Sequence, residues 1–86
     1  MELLAIGRAM VQVRDEINRN IIEGVGVDYN DDHLMLEDLG EKIGRLIMEM
    51  NKGNRGAAKD VLIEVAAAGV RAAGRIIEQE IVRERN

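Results

Sequence analysis

Apolar residues recur along this chain at steps of three and four. From the N-terminus, Leu3, Ile6, Met10, Val13 and Ile17 fall on one face of a helix, with Ile21 and Ile22 closing the run. Arg8, Arg14, Asp15, Glu16 and Arg19 fill the other side. The pattern stops at EGVGVDYNDD, where Gly24 and Gly26 end the helix and Asp31 or Asp32 can cap the next one. A second helix is expected from about residue 32 to 51, with Leu36, Leu39, Ile43, Leu46 and Met50 as its stripe. The segment NKGNRG then breaks the periodicity, and Asn54 is placed to cap a third helix.

The third helix, from about residue 56 to 84, carries two stripes on roughly opposite sides. Val61, Leu62, Val65, Gly69, Ala72 and Ile76 form one; Ile63, Ala67, Val70, Gly74, Ile77 and Ile81 form the other. The polar strip that remains is narrow and holds Asp60, Glu64, Arg71, Arg75 and Glu78. A helix apolar on two sides is sandwiched between neighbours, and its many alanines and glycines let those neighbours come close. At ~1.5 Å per residue it spans roughly 40 Å, too long and too apolar for a lone three-helix chain. The expected fold is all-α: an antiparallel bundle of about three helices per chain, one domain over residues 1–86, completed by oligomerisation with the third helix across the subunit interface.

Composition narrows the function. The 86 residues include no cysteine and no proline, and Tyr29 is the sole aromatic, so the core is built from aliphatic residues and methionine. A net charge of −4 argues against nucleic acid as a partner, as does the lack of stacking rings. No apolar run approaches bilayer length, no helix has a basic polar face, and MELLAIGRAM lacks a basic leader. The expected setting is cytoplasmic, away from membranes.

The stretch LEDLGEKIGRLIMEM, residues 36–50, departs from a plain amphipathic helix. Glu37 and Glu41 lie near the pole opposite Leu39, about 40° apart, alongside Gly44, Met48 and Leu34. Glycine in a helix interior costs about 1 kcal/mol relative to alanine, so Gly40 and Gly44 suggest a close neighbour over partly buried acids. Asp60 and Glu64, also four apart, lie on the third helix, and a hairpin about NKGNRG brings Glu41 and Glu64 to similar height. Carboxylates so placed suit Mg²⁺, which takes oxygen ligands. The plainer alternative is a solvated acidic face matched by bases four residues on, Lys42 for Asp38 and Arg45 for Glu41. His33 and the methionines read as an ordinary helix-start residue and core filler.

HLMLEDLGEKIGRLI, followed by LIEVAAAGVRAAGRIIE, resembles the MazG-like all-α nucleoside triphosphate pyrophosphohydrolases over residues 33 to about 78. Glu37-Asp38-Leu39-Gly40-Glu41 matches that family's E-E-x-G-E motif with Asp for the second Glu. In the second motif, E-x-x-D, Glu64 takes the Asp position while Val61 stands at the first acid, with Asp60 one residue earlier. The resemblance implies a homodimer or homotetramer that hydrolyses a ribo- or deoxynucleoside triphosphate to the monophosphate and pyrophosphate with Mg²⁺. It implies Asp38, Glu41 and Glu64 as metal ligands, Glu37 as a ligand or water-orienting base, and Lys42, Arg45 and Arg71 as phosphate contacts. Val61 and the near absence of aromatics (Tyr29 is either a loop anchor or a base platform) favour a second reading, a non-catalytic helical oligomerisation or interaction protein of the same fold.

Overall fold

The computed structural model describes residues 1–24 and 31–85. Three helices make it up: α1 (Glu2–Glu23), α2 (Asp32–Asn51) and α3 (Arg55–Arg85), with no strand among the described residues. Their ends fall where the sequence places them, and for the expected chemical reasons. Gly24 ends α1 at φ 64°, a left-handed conformation that favours glycine. The Asp31 carboxylate accepts from the amides of His33 and Leu34 at 2.9 and 3.2 Å, a cap worth about 1 kcal/mol. Asn54 accepts from the Ala57 amide at 3.2 Å to start α3, and Gly53 turns the chain at φ 74°. Gly26 and Tyr29 lie outside the described residues.

The helices form one layer with α3 in the middle. Both α1 and α2 pack on α3, and among the described residues they do not touch each other. The α2–α3 pair is an antiparallel hairpin pinned by two ion pairs, Asp32 to Arg75 at 2.5 Å and Arg45 to Glu64 at 3.2 Å. That register sets Met35 level with Ala72, Leu39 with Ala68, Lys42 with Val65 and Leu46 with Val61. On α3 the positions facing α2 are Ala58, Val61, Val65, Ala68, Ala72 and Arg75, all buried or half-buried and spaced by three and four. Ile63 and Ala67, roughly opposite, face α1, so α3 is covered on two sides, while Leu62, Gly69 and Ile76 of one expected stripe and Val70, Gly74, Ile77 and Ile81 of the other stay exposed.

On α2 the side that meets α3 is turned about 60° from the expected stripe. It consists of Met35, Asp38, Leu39, Lys42, Leu46 and Glu49, while Leu36, Ile43 and Met50 stay exposed. The face of Gly40 and Gly44, expected to be covered, is open: a Cβ built on either meets nothing within 4 Å.

The resulting core is thin. The buried apolar residues are Met35, Ala58, Val61, Ala67, Ala68 and Ala72, four of them alanines, and no large side chain among the described residues is fully buried. The accessible surface is 6574 Å² for a mass of 9.6 kDa, against about 5,100 Å² for a compact monomer of that mass. The radius of gyration is 14.6 Å, against about 12 Å for a compact chain of this length.

The two broad faces of the layer differ in chemistry. One is apolar and exposed: Ile6 and Met10 from α1, Leu62 and Ile76 from α3, and Ile43 and Ile47 from α2. Ala66, Gly69 and Ala73 form its low centre line along α3. The reverse face carries Asp60, Glu64, Arg71, Arg75 and Glu78. Beyond Arg75, α3 continues bare, with every described residue from 76 to 85 exposed.

Candidate functional site

The acids that the sequence singles out are divided among separate ion pairs. Glu37 is exposed and lies 2.9 Å from Nε2 of His33, one turn back on α2. Asp38 is tucked toward α3, its side chain 12% exposed, and accepts from Nζ of Lys42 at 2.7 Å. Glu41 is exposed on the open pole of α2. Arg45, four residues on from Glu41, reaches instead across to α3 and donates through Nη2 to both carboxylate oxygens of Glu64, each at 3.2 Å. In the register of the hairpin Glu64 lies level with Ile43, about half a turn nearer the hairpin than Glu41.

The structure brings Glu64 to α2 and sets it beside Arg45, and it sets Asp38 beside Lys42. It does not gather Asp38, Glu41 and Glu64 into one cluster, and no group of three metal-ligating side chains occurs among the described residues. Two of these three carboxylates are held by cationic side chains, Asp38 by Lys42 and Glu64 by Arg45. Arg71 lies half-buried on the polar face, about two turns beyond Glu64. Val61, at the position of the missing acid, is 7% exposed and level with Leu46 in the α2–α3 seam. Its side chain is core, whereas Asp60 beside it is exposed.

Sequence reasoning missed one feature of the polar face. A cleft of about 400 Å³ lies between α1 and α3, lined by Gln12, Asp15, Glu16, Arg19, Asp60 and Glu64. Arg19 closes on Glu16 at 2.6 Å, and that hydrogen bond, with the charge of the same carboxylate, raises the guanidinium further above its usual value. The cleft thus joins Asp60 and Glu64 to acids of α1 that no spacing argument connects to them. The signal for it lies only in the docking of α1 on α3.

The chain matches no protein-family model, and no curated protein or solved structure matches it. No helix is long and apolar enough to cross a membrane among the described residues.

Proposed function

We propose that this chain is a self-assembling helical module, a homo-oligomer whose fold is completed by association. One observation carries the reading: the surface is about 1,500 Å² larger than a compact monomer of this mass would have, and it is studded with large aliphatic side chains. A stable interface takes about 800 Å² from each partner, and obligate homodimers take more. Leu36, Ile43, Ile47 and Met50 of α2 are each about half exposed or more, which a folded monomer of this size does not readily tolerate. Light scattering on the purified chain tests the reading. The expected mass is a multiple of 9.6 kDa, and the melting temperature should rise with protein concentration. A monodisperse 9.6 kDa species with a concentration-independent melt overturns it.

A second reading is the Mg²⁺-dependent nucleoside triphosphate pyrophosphohydrolase of the MazG-like resemblance. The observation in its favour is that Glu37 and Glu41 remain open on α2 while Glu64 turns toward that helix. Its expected result is a melting temperature raised by millimolar Mg²⁺, raised further by a mixed pool of deoxynucleoside triphosphates, and unresponsive in Glu41→Gln. No shift with either ligand removes this reading and leaves the first intact.

A further inference from the structure

The unpartnered side of α3 has a spacing and a charge order of its own. Arg55, Lys59, Leu62, Ala66, Gly69, Ala73, Ile76 and Glu80 follow at alternating steps of four and three, the period of a coiled-coil seam. The same period on the α2 side of α3 is filled within the chain; this one is left exposed. Its order is close to a palindrome of opposite sign. Bases (Arg55 and Lys59) stand at its N-terminal end, an acid (Glu80) at its C-terminal end, large aliphatics inside them, and small residues at the centre.

Turned antiparallel and centred on Gly69 and Val70, the stripe complements a copy of itself. Ala66 falls opposite Ala73 and Lys59 opposite Glu80, all four on the stripe, while Leu62 falls opposite Ile77, the neighbour of the stripe's Ile76. A parallel pair would instead set base on base and acid on acid. We propose that a second copy of this chain occupies the apolar face, with α3 of each subunit lying antiparallel along α3 of the other in this register.

Three features of the layer support that occupant. The small residues Ala66, Gly69 and Ala73 sit low between the flanking α1 and α2, so a helix can approach α3 closely there. The bare end of α3 is then carried over the N-terminal part of the partner's α3, where Ile43, Ile47 and Met50 of α2 flank the trough. It would cover Ile76, which the single chain leaves about half exposed. Finally, the contact is isologous, so every complementary pair occurs twice and the assembly closes as a dimer.

The inference deepens the self-assembly reading by naming the face and the register, and its test separates the two. Lys59 and Glu80 are exposed, and the nearest carboxylate to the Lys59 ammonium is the adjacent Asp60 at 3.5 Å, so reversing either charge leaves the subunit fold intact. The dimer dissociation constant of wild type, Lys59→Glu, Glu80→Lys and the double variant is measured by sedimentation equilibrium at low salt, with circular dichroism as the check on helicity. Each single reversal creates two like-charge pairs across the axis and is expected to weaken the dimer about tenfold, and the double reversal to restore it to within about threefold of wild type. Glu78→Lys, on the polar face, is expected to leave it unchanged. Single reversals without effect, or a double variant as weak as the singles, overturn this register while the chain still assembles. A wild-type chain that is monomeric overturns the inference together with the reading beneath it.

Discussion

Val61→Glu is expected to break the α2–α3 hairpin instead of completing an acidic motif. Val61 is buried and level with Leu46, with Ala58 and Val65 on either side along the seam. A carboxylate there would leave water with no cation set to receive it, since the nearest guanidinium on α2, that of Arg45, is already held by Glu64 on the adjoining polar face. Introducing an unpaired charge into a seam this thin is expected to cost about 3 kcal/mol or more. The measurement is urea unfolding of the variant beside Val61→Met, which keeps apolar character and should lose less than about 1.5 kcal/mol. Equal stability of Val61→Glu and wild type would mean that position 61 does not face α2.

Ala72→Leu is the second large effect. Ala72 is 8% exposed and level with Met35, the largest of the buried side chains among the described residues. Three extra carbons have nowhere to go unless Met35 is displaced or the helices part. Overpacking of this kind costs about 1–3 kcal/mol, and for a domain of this size each kcal/mol moves the melting temperature by about 4–8 °C. A thermal melt unchanged by the substitution would remove α2 from above Ala72. The effect is within the subunit, whereas the small residues of α3 were expected to serve the subunit interface. The structure divides them: Ala67, Ala68 and Ala72 are buried by α1 and α2, and Ala66, Gly69 and Ala73 stay exposed.

The helices and their ends were legible because local chemistry sets them. With no proline in the chain, the glycine-bearing segments at Gly24 and Gly53 are the natural stops, and Asp31 and Asn54 are oxygen-bearing caps at the right offsets. The rotation of α2 was not legible. Its apolar arc runs from Met35 past Leu36 and Ile43 to Ile47, wider than one neighbour can cover. A helical wheel ranks those positions by hydrophobicity alone. The chain instead turns Met35 inward and gives half its contact face to Asp38, Lys42 and Glu49, whose charges are partnered along α2 and its end, Asp38 with Lys42 and Glu49 with Lys52. The same turn explains the acids. Arg45 has two carboxylates within reach of its helix, Glu41 one turn back and Glu64 across the seam, and it takes the one that also ties α2 to α3. Sequence spacing counts only the first of these.

α1 and α2 hold to opposite sides of α3 and not to each other, so the molecule is a line of two contacts that meet at Glu64. Both ion pairs of the hairpin lie between α2 and α3, so loss of α1 before the hairpin is the expected order of opening, read by amide hydrogen exchange. The released state bares Ile63 and Ala67 on α3 to whichever α1 arrives first, its own or that of a neighbouring molecule. Exchange of α1 between chains would then reuse a native contact and demand no new one, and linked, swapped species are the expected finding in size-exclusion chromatography of concentrated solutions.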